Sequence, residues 1–188
     1  MDPTDKALLR TRIATALGAI PEDAAVTRAA RLPARVKAIS DLSAHPGALM
    51  GYLAMAGELD VSGTFWLAWS YGRKVCVPST DWQQKRITPV LYTPARPISK
   101  GKHGVPEIEG PREVPLSEIG VVLVPGVAFT KTGLRIGRGG GFYDRFLARL
   151  LGLGEARPVF VGVCFSEQIV DDLPCEAHDV PMDLVVDV

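Results

Sequence analysis

Cysteine is scarce in this chain: Cys76, Cys164 and Cys175 are the only three among 188 residues, and no two stand in a C-x-x-C pair. Neither a disulfide framework nor a zinc site is predicted, and a reducing, cytoplasmic setting follows. Net charge is absent too. The 21 Lys and Arg residues balance 21 Asp and Glu, which argues against a broad nucleic-acid or acidic-membrane surface. Any anion site has to be local. No apolar run approaches the roughly 18 residues of a membrane span, and "MDPTDKALLRTRI" has no apolar segment to serve as a signal peptide. What remains is an ordinary globular balance, 47% hydrophobic and 22% charged, of a length that predicts one domain over residues 1–188.

Hydrophobic periodicity predicts a helix over residues 4–17, capped by Thr4, with Lys6 and Arg10 four apart on one face and Gly18 as its stop. A second helical region runs from Pro21 towards Leu42, broken at Pro33 and closed by His45-Pro46-Gly47. Short apolar runs then take over: 48–55, 74–78, 86–92, 120–125, 157–165 and 183–188, several of them β-branched and bounded by Gly or Pro. Helical spacing returns at 64–71 and 140–151. Such alternation predicts an α/β fold of three layers, a mostly parallel sheet flanked by helices. Residues 93–117, rich in proline and glycine, read as one long irregular loop.

The densest signal is "GLRIGRGGGFYDRFL", residues 133–147, with five glycines in nine positions at the mouth of a predicted helix. Amides at a helix start form an anion site, and Lys131, Arg135, Arg138, Arg145 and Arg149 surround the single acid Asp144. A phosphate group is the expected partner. The loop is not a Walker A motif, since no Lys-Ser or Lys-Thr follows the glycines, nor a dinucleotide fingerprint, since Phe142 stands where its third glycine belongs. A loop that merely turns would leave the arginines unexplained. Asp144, in the first helical turn, is either a dipole partner or, beside polyphosphate, a Mg²⁺ ligand.

Together with Pro125-Gly-Val-Ala-Phe129, this stretch resembles the signature of the 5-formyltetrahydrofolate cyclo-ligase family. Lys6-x-x-Leu9-Arg10, "GYLAMAGELD", "GRKVCVP" and "LPCEAHDVPMD" follow in that family's order, so the resemblance spans nearly the whole chain. It implies a fold like that of sugar-phosphate isomerases and CoA transferases. It also implies a monomeric ATP- and Mg²⁺-dependent ligase, which closes 5-formyltetrahydrofolate to 5,10-methenyltetrahydrofolate with release of ADP and phosphate. By that likeness Lys6, Arg10, Arg135, Gly137, Arg138, Gly139, Gly140, Gly141, Phe142 and Tyr143 bind ATP, while Glu58 and residues Arg138 to Phe142 meet the reduced folate. Arg135, Arg138 and Asp144 are the implied catalytic residues, and Asp144 and Asp179 the implied magnesium acids. His178 is read as a neighbour rather than a proton carrier, and Tyr52, Trp66, Trp69 and Trp82 as mostly core. Two positions depart from the family's usual pattern: Val61 replaces a common Thr, and Thr130 a common Asp. A nucleotide- or folate-binding module without turnover is the competing reading.

Overall fold

Helix α1 (Pro3–Gly18) begins one residue before the expected cap, so Thr4 lies inside its first turn. The protein is described by a computed structural model covering residues 3–39, 46–108, 110, 112–174, 176 and 179–188; the expected helix end at Leu42 and His45, along with Cys175 and His178, lies outside the described residues. The second helical region is two helices, α2 (Glu22–Ala29) and α3 (Leu32–Ile39). The break falls before Pro33, not at it. Proline lacks an N–H that a first turn leaves unbonded anyway, so Pro33 opens α3 instead of ending α2.

Six strands form the central sheet: β1 (Ala48–Met50), β2 (Val75–Asp81), β3 (Arg86–Tyr92), then, beyond the next hairpins, Ile119–Val124, Val159–Cys164 and Leu184–Asp187. Helix α4 (Ser62–Ser70) links β1 to β2. The segment 93–117 is not structureless, because β4 (Ile98–Lys100) pairs antiparallel with β5 (Pro106–Ile108) and Ile108 is buried. Pro106 is tolerated as the first residue of a strand, where a missing N–H costs least. Ile119–Val124 is β6, the ribbon Ala128–Phe129 and Arg135–Ile136 forms β7 and β8, and helix α5 (Phe142–Leu151) leads to β9 (Val159–Cys164) and β10 (Leu184–Asp187). The sheet order is β10-β9-β6-β1-β2-β3, parallel throughout except for the antiparallel edge strand β3.

Alternation along the strands builds two cores. Leu49, Val75, Val77, Val121 and Leu123 face α3 and α4, where Leu32, Val36, Phe65 and Ala68 are buried. Met50, Cys76, Val122 and Val124 face Phe146, Leu147 and Leu150 of α5. Helices thus cover both faces, which explains why all six residues of β6 are buried. Burial also pushes the Cys76 and Cys164 thiols up to about 12, so both stay protonated and inert.

The run 48–55 is strand only to Met50. A Cβ on Gly51 would meet the Phe65 ring at 2.2 Å, so α4 packs directly on the backbone there and the chain leaves the sheet. Its apolar side chains go elsewhere. In open parallel sheets ligands gather beyond the C-terminal strand ends, and that is where residues 51–58 and 125–126 lie.

Candidate active site

Beyond the ends of β1, β2 and β6 lies a cavity of about 600 Å³. Each residue that the family likeness implied lines it: Lys6, Arg10, Glu58, Arg135, Gly137 through Asp144, and Asp179. Two of the cations expected around the anion site do not: Lys131 pairs with Asp187 and Arg149 donates to the Ile87 carbonyl. Long-range docking brings the lining residues together. Ile13 of α1 is buried in a small cluster with Ala128 and Ile136 of the β7–β8 ribbon, which seats the helix so that Arg10 meets the glycine loop and Lys6 lines the cavity. Arg10 then donates from Nε to the Gly137 carbonyl at 3.0 Å, and Lys6 forms an ion pair with Glu176.

Arg135 occupies the centre. Its side chain is only 4% exposed; Nη2 pairs with the Asp144 carboxylate, and Nη1 donates to the Pro125 carbonyl at 3.3 Å. The guanidinium also lies 5.9 Å from the centroid of the Tyr143 ring. A Cβ on Gly126 would come 3.0 Å from Arg135 Cγ, and one on Gly137 would come 3.0 Å from Nη1, so these glycines make room for the arginine. Burial, reinforced by the charge of Glu58, holds the Tyr143 phenol well above its ordinary range although Arg135 opposes the shift, so Tyr143 is neutral at any working pH.

The glycine cluster divides its labour. Gly139 and Gly141 have φ of +95° and +65°, left-handed backbone that side chains resist. Gly141 is the N-cap of α5, which is why the helix starts at Phe142 and not at Gly140. Gly140 leaves room for the Phe142 ring, 2.9 Å from where its Cβ would be. Among the described residues, no acceptor takes the N–H groups of Gly139, Gly140 or Gly141. Free amides on a helix start next to guanidinium groups are what an anion needs.

Arg145, one of the cations expected around the anion site, does not line the cavity but anchors this loop. Nη2 donates to the Gly140 carbonyl at 2.7 Å and Nε to the Lys85 carbonyl at 3.2 Å, tying the loop to the β2–β3 turn. Both bonds are solvent-exposed and add little to global stability, but a loosened loop has to be reordered when nucleotide binds, so Arg145→Ala is expected to weaken nucleotide affinity about tenfold while the melting temperature changes little. Calorimetric titration against the parent protein measures it. An unchanged affinity would mean the loop holds its shape without Arg145.

The opposite wall is apolar: Tyr52, Leu53, Met55, Pro78, Trp82, Ile87 and Val105. The sequence reading assigned the aromatics mostly to the core, and the structure divides them. Trp69 packs against Phe65 and Tyr92, Trp66 is 64% exposed, and Tyr52 and Trp82 line the cavity. Trp82 meets the Phe142 ring edge-on at 5.0 Å, joining the two walls. Glu58 sits between them, accepting from the Met55 amide at 3.0 Å and from Arg138 at 3.1 Å. Asp179 accepts the Glu176 amide at 2.8 Å, a local turn role. Among the described residues, no three His, Cys, Asp or Glu side chains group as a metal cluster. The two departures from the family pattern lie off the cavity. Val61 is buried core, while the Thr130 hydroxyl takes the Leu134 amide at 3.0 Å to close the ribbon turn.

Comparison with known proteins agrees with this geometry. The sequence model described as the 5-formyltetrahydrofolate cyclo-ligase family matches residues 2–188. A 5-formyltetrahydrofolate cyclo-ligase of Haemophilus influenzae is 32% identical over 134 residues, 70% of each chain. One of Saccharomyces cerevisiae is 52% identical over 68 residues, but that match spans only 35% of this chain and 32% of the relative. The structure of Aquifex aeolicus 5,10-methenyltetrahydrofolate synthetase, 24% identical, superposes with a TM-score of 0.79 over 97% of this chain and 89% of its own, which shows a shared fold. With a family match of that extent over the cationic loop and its cavity, the chain belongs to the 5-formyltetrahydrofolate cyclo-ligase family.

Proposed function

We propose that this chain catalyses the ATP-dependent closure of 5-formyltetrahydrofolate to 5,10-methenyltetrahydrofolate, releasing ADP and phosphate. The observation that carries the reading is a single cavity with two unlike walls, one cationic and amide-rich, one apolar and aromatic. A triphosphate suits the first, and a pterin ring the second. A carboxylate can accept two N–H bonds at once, so Glu58 is suited to the pterin's donors.

The chemistry asked of the site is modest. The formyl oxygen attacks the γ-phosphorus and ADP leaves; N10 then attacks the activated carbon, the C–O bond breaks, phosphate departs and N10 gives up its proton. Phosphoryl transfer needs chiefly alignment and charge neutralisation. Lys6, Arg10, Arg135 and the amides from Gly137 to Tyr143 serve the phosphates; Arg138, at the junction of the walls, serves both substrates. Four carboxylates line the cavity, and of these Asp144 and Asp179 are the implied magnesium acids. Among the described residues no three ligating side chains group together, but two carboxylates fit Mg²⁺, which takes one or two and completes its shell with phosphate oxygens and water. When bound there, magnesium supplies neutralising charge to the transferring phosphoryl group. A cavity of about 600 Å³ suits small-molecule substrates. The inert free thiols Cys76 and Cys164 suit a cytoplasmic setting.

The test is direct. Purified protein mixed with MgATP and 5-formyltetrahydrofolate is expected to develop the near-ultraviolet absorbance of the methenyl product, and to do so only with both substrates present. Nucleotide binding without product would favour a binding module that lacks turnover.

A further inference from the structure

Lys6 is expected to hold a phosphate, yet its ammonium is already engaged by the Glu176 carboxylate, 170 positions away in the sequence. Glu176 is part of the cavity lining, with a side chain 54% exposed against 18% for Lys6. Its backbone is held firmly. The Glu176 amide donates to Asp179 Oδ2 at 2.8 Å, and the Asp179 amide donates to the Glu176 carbonyl at 2.9 Å. This reciprocal turn presents the carboxylate to α1.

A carboxylate on the wall of a polyanion site repels the very ligand the site is built for, which points to a task when the ligand is absent. We infer that Glu176 is a displaceable internal anion, which occupies Lys6 until nucleotide phosphate takes its place and recaptures Lys6 when the nucleotide leaves. Phosphate and Glu176 then compete for one ammonium. Every nucleotide that reaches Lys6 binds less tightly than the cavity would otherwise allow, and departs more readily. Because the Glu176 carboxylate is 54% exposed, water takes it up when the pair opens, so the competition tunes affinity without blocking entry. Asp179, by fixing the turn, acts as a positioning residue for this exchange.

The inference rests on the proposed placement of nucleotide phosphate at Lys6, and the experiment separates the two. MgATP is titrated calorimetrically, without folate, into the parent protein, Glu176→Gln, Lys6→Gln and the double variant, with thermal melts confirming that each is folded. Glu176→Gln is expected to tighten MgATP binding about two- to fivefold, the range of a partly exposed ion pair, and Lys6→Gln to weaken it. In the Lys6→Gln background the Glu176→Gln change is expected to have no effect, and in the parent its effect is expected to shrink as salt rises. Weaker or unchanged binding by Glu176→Gln, with Lys6→Gln still weakened, would overturn the exchange alone and leave the phosphate assignment standing. Unchanged binding by Lys6→Gln would remove Lys6 from the phosphate site and the exchange with it.

Discussion

Replacing Arg135 with alanine is expected to lower kcat/KM by at least about a hundredfold, the loss typical of removing a preorganised donor from a site of developing charge. The family likeness implies an arginine that binds nucleotide and takes part in catalysis, and the structure adds a structural role. Arg135 is buried and joins Asp144, the Pro125 carbonyl and the Tyr143 ring, so its removal strands a carboxylate and opens a void beside Gly126 and Gly137. Breaking a fully buried pair costs about 3–5 kcal/mol. Asp144 keeps 22% of its side chain exposed and is partly rescued by water, so about 2–3 kcal/mol is expected here. That corresponds to a fall of about 4–12 °C in melting temperature. Asp144→Asn separates the two roles, since the amide oxygen can still accept from Arg135 while the charge is gone. Its turnover is expected to drop at least tenfold, with a melting temperature that falls less than in Arg135→Ala, because the buried guanidinium keeps a hydrogen bond but loses its counter-charge. Arg135→Lys should restore little, because an ammonium cannot reach Asp144 and Pro125 together. Near-normal rates in both Arg135→Ala and Asp144→Asn would remove the mechanistic assignment.

The parts of the molecule legible in its sequence are those whose signal is local. Strand β6 reads as a continuous apolar run because it is buried on both sides, and α5 shows its buried face at Phe146, Leu147 and Leu150. The glycine loop announces itself by composition. Residues 51–55 mislead for a physical reason: the wall of a binding cavity is apolar, and from sequence an apolar wall cannot be told from core. Trp82 is hidden in the same way. The hairpin within 93–117 is masked by prolines that fall at strand starts and turns. Lys6 and Arg10 are ordinary helix-face cations until α1 docks on the β7–β8 ribbon through Ile13, and only the family register singles them out beforehand. Glu176 carries no signal of its own and Arg145 reads only as one of several loop cations, since their roles arise from partners 170 and 60 residues away.

Gly133→Ala is expected to be the most damaging single methyl in the ribbon. Gly133 has φ of +97°, and its added Cβ would lie 2.3 Å from the Met182 carbonyl oxygen. Neither backbone can retreat easily. Met182 donates its amide to the Gly133 carbonyl at 2.8 Å, the Gly133 amide is bonded to the Thr130 carbonyl at 3.1 Å, and the Leu134 amide is held by the Thr130 hydroxyl at 3.0 Å. The left-handed conformation alone costs about 1–2 kcal/mol for a residue with a Cβ. Relieving the clash means losing at least the Met182 hydrogen bond, so a total of about 3 kcal/mol and a melting temperature lower by about 6–12 °C are expected. Gly72 supplies the control: its φ is +67°, but a Cβ there meets nothing within 4 Å, so Gly72→Ala incurs only the conformational cost. If the two variants melted alike, the ribbon would be free to yield and the docking of its turn on Met182 would not be rigid. Because Arg135 is two residues beyond Gly133, the same displacement carries the guanidinium away from Asp144. Gly133→Ala is therefore expected to lose activity in folded protein at low temperature, where stability alone would not explain it.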